Sequence, residues 1–122
     1  MARILIVDDA SFMRGSLKFI AENAGHEVVG EAKDGIEALE IYKKVRPDLV
    51  TLDILMKKMD GLAALETILK EDPQARVIMV TALGMEDKRK EAERLGARGY
   101  ITKPFKRTEI ADEIERVLAI DA

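Results

Sequence analysis

Asp8, Asp9, Asp53, Thr81 and Lys103 bring acid, hydroxyl and ammonium chemistry to comparable places in this sequence, because each stands at the end of an apolar run. Ile4-Leu5-Ile6-Val7 precedes the acid pair, Leu49-Val50-Thr51-Leu52 precedes Asp53, Val77-Ile78-Met79-Val80 precedes Thr81, and Tyr100-Ile101 stands shortly before Lys103. Such runs read as strands buried on both faces. If the strands are parallel, the residues that end them gather at one edge of the sheet, where open α/β sheets bind ligands. Crowded carboxylates raise one another's pKa unless a cation joins them. The donors are oxygens only, with no cysteine in the chain, and this favours a hard ion. A shallow site with few protein ligands suits Mg²⁺. A carboxylate held there can take a phosphoryl group as an acyl phosphate when metal and ammonium charges neutralise the transferring oxygens. Asp53 fits that role, with Lys103 as a point charge, the Thr81 hydroxyl as a hydrogen-bond donor, and small Ala82 leaving room for the group. Taken singly, an acid pair after a strand is often only a turn or a helix cap. Their joint placement at strand ends points to a site.

The elements that position these residues alternate. After the first strand, Met13, Leu17, Ile20 and Ala24 follow helical spacing from Ser11 until Gly25 caps the helix. Glu27 to Ala32 is a weaker strand, and Asp34-Gly35-Ile36-Glu37 has a capping-box pattern that opens a helix burying Ala38, Leu39, Tyr42 and Val45. Pro47-Asp48 ends it ahead of the strand that leads to Asp53. Asp60-Gly61 opens a third helix with Leu62, Leu65 and Leu69 on one face, stopped at Asp72-Pro73. The charged segment Glu86 to Leu95 predicts a helix with a narrow buried stripe, closed by Gly96, and a final helix runs from Thr108 to about Ala119. Strict strand-helix alternation predicts an α/β fold with a parallel sheet covered on both faces.

The chain has 122 residues, enough for one core and one domain spanning 1–122. Its net charge of −3 argues against general nucleic-acid affinity. No apolar run approaches the roughly 20 residues of a membrane span, and no secretory leader opens the chain. A cytoplasmic protein that acts on ions and other proteins is the expectation.

Together, Ile4-Leu5-Ile6-Val7-Asp8-Asp9, Leu52-Asp53-Ile54 with Met59-Asp60-Gly61, Thr81-Ala82, Gly96-Ala97 and Lys103-Pro104-Phe105 resemble the receiver-domain motifs of two-component response regulators over essentially the whole chain. The resemblance implies a flavodoxin-like (βα)5 three-layer sandwich with strand order 2-1-3-4-5. It makes Asp53 the phosphoacceptor, Asp9 and Asp53 direct Mg²⁺ ligands, Asp8 a supporting one, and the Leu55 carbonyl the last protein ligand. It couples phosphorylation to inward movement of Thr81 and Tyr100, and it implies a cis Lys103-Pro104 bond. A sensor histidine kinase is the implied phosphodonor. Asp8-Asp9-Ala10-Ser11-Phe12-Met13-Arg14 is most similar to the chemotaxis subgroup, whose partner is a flagellar-motor switch protein; a single-domain phosphorelay intermediate is the next reading. With no output domain expected after the last helix, signalling would pass through protein contacts, by a switch that promotes only its own phosphorylation and dephosphorylation.

Lys57 departs from the family, which often has proline there, and is expected to sit in a solvated, more mobile loop. Leu55 and Leu83 occupy positions that tune dephosphorylation; being apolar, they imply slow hydrolysis. His26, the sole histidine, reads as a solvated loop residue. Three other readings share parts of the pattern. A flavodoxin-type FMN carrier needs a hydroxyl- and glycine-rich loop where Asp8-Asp9-Ala10-Ser11 stands. A hydrolase with an Asp nucleophile needs a second catalytic base or a cap. A receiver that only binds a partner has no need of intact Asp9, Asp53, Thr81 and Lys103.

Overall fold

A computed structural model describes residues 1–56 and 58–120 of the chain. Its elements alternate as β1 (Arg3–Val7), α1 (Ser11–Asn23), β2 (Glu27–Ala32), α2 (Gly35–Val45), β3 (Leu49–Asp53), α3 (Gly61–Glu71), β4 (Val77–Ala82), α4 (Glu86–Leu95), β5 (Gly99–Lys103) and α5 (Arg107–Leu118). All neighbouring strands pair in parallel, in the order β2-β1-β3-β4-β5. This is the flavodoxin-like three-layer sandwich that the sequence implies.

The buried strands explain the layering. Leu49 to Asp53 is buried throughout β3, so that strand needs cover on both faces. On one face, Leu5, Val7, Val50, Leu52, Val77 and Met79 pack with Tyr42, Ala64, Leu65 and Ile68 from α2 and α3 and with Ala92, the one buried residue of α4. On the other, Ile4, Ile6, Leu49, Ile78 and Ile101 pack with Leu17 and Ile20 of α1 and Ile110, Ile114 and Val117 of α5. Each large aliphatic side chain taken fully from water contributes about 1.5–3 kcal/mol, so the central strands are the most firmly held part of the fold.

Several boundaries differ from the sequence reading. β5 extends through Lys103, because Thr102 and Lys103 pair with Thr81 and Ala82 although neither is apolar. α5 begins at Arg107, where the Glu109 carboxylate accepts from the Lys106 N–H at 2.8 Å. The buried stripe of α1 runs through Leu17, Ile20 and Ala21, and Ala24 is exposed, since the helix has already ended. There the His26 N–H reaches the Ala21 carbonyl and the Gly25 N–H that of Glu22, a closure that Gly25 permits with φ +89°.

His26 itself is buried, not solvated. Its Nδ1 accepts from the Ala2 N–H at 3.0 Å, which leaves the proton on Nε2 to be donated to Glu115 at 2.9 Å. The residue ties the start of β1, the start of β2 and α5 together.

Candidate functional site

The C-terminal ends of β1, β3, β4 and β5 lie side by side, so Asp8 and Asp9 just beyond β1 meet Asp53, the last residue of β3. One oxygen from each of Asp8, Asp9 and Asp53 lies within 4.8 Å of the others. Asp8 and Asp53 are buried and Asp9 is exposed, so the group opens to solvent on one side. Lys103 reaches over from β5, with Nζ 3.4 Å from Asp8 Oδ2 and 3.7 Å from Asp53 Oδ1. The peptide bond that follows, Lys103-Pro104, is cis.

Asp53 is placed by its backbone. The Ile54 N–H donates to the Val80 carbonyl at 3.2 Å, continuing the β3–β4 ladder past the acid, and the Ile54 carbonyl accepts from the Gly61 N–H at 2.7 Å. A β-carbon on Gly61 would lie 2.2 Å from the Asp53 carbonyl oxygen, so only glycine lets α3 start this close to the acid. Asp60 caps that helix, accepting from the Ala63 N–H at 2.9 Å.

Burial pushes the Asp53 carboxyl up from 3.8 to about 6, and the neighbouring Asp8 charge adds to it; the Lys103 ammonium and the Leu55 N–H, 3.3 Å from Oδ1, oppose the rise, and Asp9 augments it. The protein's own cation does not balance these acids. An all-oxygen set of convergent carboxylates with residual negative charge fits a hard divalent ion such as Mg²⁺.

Thr81 is buried at the end of β4, and its hydroxyl donates to the Ile101 carbonyl at 3.4 Å. Tyr100 is half-buried on β5; its hydroxyl donates to the Ala97 carbonyl at 3.3 Å, and the Arg89 guanidinium lies 4.7 Å over its ring. Leu55 and Leu83, each two residues past a strand-end residue of the site (Asp53 and Thr81), are both exposed. Lys57 lies outside the described residues. Two features of the site left no sign in the sequence reading: the contact of Gly61 with the Asp53 backbone, and the Arg14 side chain, which donates to the Asp8 carbonyl at 2.7 Å.

Residues 4–115 match the response regulator receiver domain. The chain belongs to that family. This receiver is 48% identical to Protein CcdB of Bacillus subtilis, over 97% of this chain and 98% of that protein. It is 46% identical to chemotaxis protein CheY of Thermotoga maritima, over 94% of this chain and 96% of that protein. Among solved structures, a chain of the CheX-CheY-BeF3-Mg+2 complex from Borrelia burgdorferi superimposes on the receiver with a TM-score of 0.92 at 39% identity, covering 97% of this chain and 90% of that one. The receiver domain of NtrX from Brucella abortus does so with a TM-score of 0.91 at 36% identity, over 97% and 99% of the two chains. Among the described residues no helix is long and apolar enough to cross a membrane.

Proposed function

We propose that this receiver is a phosphorylation-activated switch that takes a phosphoryl group from the phosphohistidine of a sensor histidine kinase onto Asp53 and passes the signal on by protein contacts, in chemotaxis. The observation that carries the reading is the Asp53 carboxylate at a buried strand end, facing Lys103 Nζ at 3.7 Å and converging with two further carboxylates.

An ionised Asp53 oxygen attacks phosphorus in line with the donor imidazole; the P–O bond forms, the P–N bond breaks, and its electron pair stays on the imidazole nitrogen, which takes up a proton. Lys103 holds Asp53 ionised and then meets an oxygen of the arriving group. Asp9, Asp53 and the Leu55 carbonyl, with Asp8 in support, are the groups that would hold Mg²⁺, which supplies positive charge to the phosphoryl oxygens when bound. Thr81, rotating from the Ile101 carbonyl, reaches the phosphoryl group, and Tyr100 follows inward. Leu55 and Leu83 offer no polar group to orient an attacking water, so the acyl phosphate hydrolyses slowly.

The chemotaxis assignment is supported by relatives that bear the name chemotaxis protein CheY across nearly the whole chain. A flagellar-motor switch protein in the cytoplasm is the partner this implies. The test is intact-protein mass spectrometry after incubation with acetyl phosphate, with and without Mg²⁺, on wild type and Asp53→Asn. A Mg²⁺-dependent gain of one phosphoryl mass, lost in the variant, is expected. Absence of any gain in wild type would reduce the chain to a partner-binding receiver.

A further inference from the structure

We infer that Arg14 is a positioning residue for the cation site, acting through the peptide that joins Asp8 to Asp9. The inference rests on the proposed Mg²⁺-dependent phosphorylation and adds a residue that touches neither the ion nor the phosphoryl group.

Asp8 is held at every polar group it has. Its N–H donates to the Ala32 carbonyl at 3.0 Å, its Oδ1 accepts from the Ala10 N–H at 2.9 Å, its Oδ2 from Lys103 at 3.4 Å, and its carbonyl from Arg14 Nη1 at 2.7 Å. Asp9 is different. It is exposed, and among the described residues no hydrogen bond fixes its carboxylate. What places the Asp9 Cα, and with it the root of that side chain, is the peptide plane before it, and the carbonyl of that plane is the one Arg14 grips.

Arg14 is itself held. Its Nε lies 3.3 Å from Glu31 Oε1, and the Arg14 side chain is only 19% exposed. Glu31 precedes Ala32, the residue that receives the Asp8 N–H. The first turn of α1, the end of β1 and the end of β2 are thereby closed into a ring around the Asp8-Asp9 peptide. Because Glu31 neutralises the guanidinium, the effect on the acid cluster is one of geometry more than of added positive charge. A planar fork with separate Nε and Nη donors can serve both partners at once; an ammonium cannot copy this. Groups that orient metal ligands from behind carry about 10–100-fold in metal affinity.

The experiment measures Mg²⁺ affinity of the unphosphorylated protein by calorimetry at pH 7.5, alongside the Mg²⁺ dependence of acetyl phosphate labelling, for wild type, Arg14→Met and Glu31→Gln. Arg14→Met is expected to weaken Mg²⁺ binding by about tenfold and to recover the wild-type labelling rate once Mg²⁺ is saturating. Glu31→Gln shows a smaller loss in the same direction, and it carries the test alone if Arg14→Met does not fold. Wild-type affinity in both variants overturns the inference and leaves the phosphoacceptor reading standing. A fall in the saturating rate that added Mg²⁺ does not restore also overturns it, since Arg14 would then only support the fold. A wild-type chain that binds no Mg²⁺ overturns both readings.

Discussion

The Thr81 hydroxyl is bonded to the Ile101 carbonyl across the β4–β5 pair at 3.4 Å, while Thr102 Oγ1 stands 3.5 Å away. The residue that would meet a phosphoryl group on Asp53 is thus engaged with the strand that carries Tyr100. A bond this long contributes little, so breaking it costs less than about 1 kcal/mol.

Thr81→Val should therefore leave stability within about 1 kcal/mol of wild type and still allow Asp53 to be phosphorylated. Amide NMR shifts around Tyr100, read before and after labelling, should change in wild type and stay fixed in the variant. Equal changes in both would remove the hydroxyl from the switch.

Asp53 sets a pH dependence of stability. Its folded pKa of about 6 lies above its ordinary value of 3.8, so the folded protein binds this proton more tightly than the unfolded chain does. The resulting contribution is complete below 3.8 and is lost as pH rises through about 6. With no divalent ion present, Asp53→Asn should stabilise the protein at pH 7.5 by roughly 1–2 kcal/mol, after a discount for solvent screening at the open side of the site. That gain should shrink towards nothing near pH 4. Thermal melts in a chelator at both pH values decide this, and an equal gain at each would mean that charge is not its source.

Gly61→Ala places a methyl group against the Asp53 backbone, where atoms of the peptide cannot swing aside. A loss of about 3 kcal/mol is expected from overpacking at so close an approach, with phosphorylation slowed as α3 is pushed off β3. Urea unfolding measures the first effect and labelling kinetics the second. A loss below 1 kcal/mol would show that the α3 start has room to move.

Thr51 lies on β3 two residues before Asp53, and its hydroxyl is buried with no hydrogen-bond partner among the described residues. Thr51→Val keeps the shape and removes the unpaired group, so a gain of about 1 kcal/mol is expected. A lower melting temperature would reveal a partner for the hydroxyl.

Most of what positions the site could be read from residue order. The largely apolar runs of β1, β3 and β4 lead into Asp8, Asp53 and Thr81, and parallel pairing then brings those three residues together. β5 was harder, because its end is built from Thr102 and Lys103, whose strand character comes from pairing with β4 and not from burial. His26 gives no sign of burial for a related reason: a lone polar residue beside glycine looks solvated until Ala2 and Glu115, distant in sequence, close over it. The Arg14 grip on Asp8 and the Gly61 contact with Asp53 are also single side-chain or steric meetings, and such meetings impose no periodic pattern on a sequence.

The buried staple at His26 has one more consequence. The chain's single imidazole has both nitrogens committed at the N-terminal edge of the sheet, the opposite edge from Asp53. No nitrogen of its own is free to carry phosphate. Among residues 1–122 the only imidazole therefore serves as a fold staple, so a phosphoryl group that came to Asp53 from a histidine would come from one outside this stretch, and the timing of the signal would rest on which histidine-bearing surface docks at the Asp53 edge.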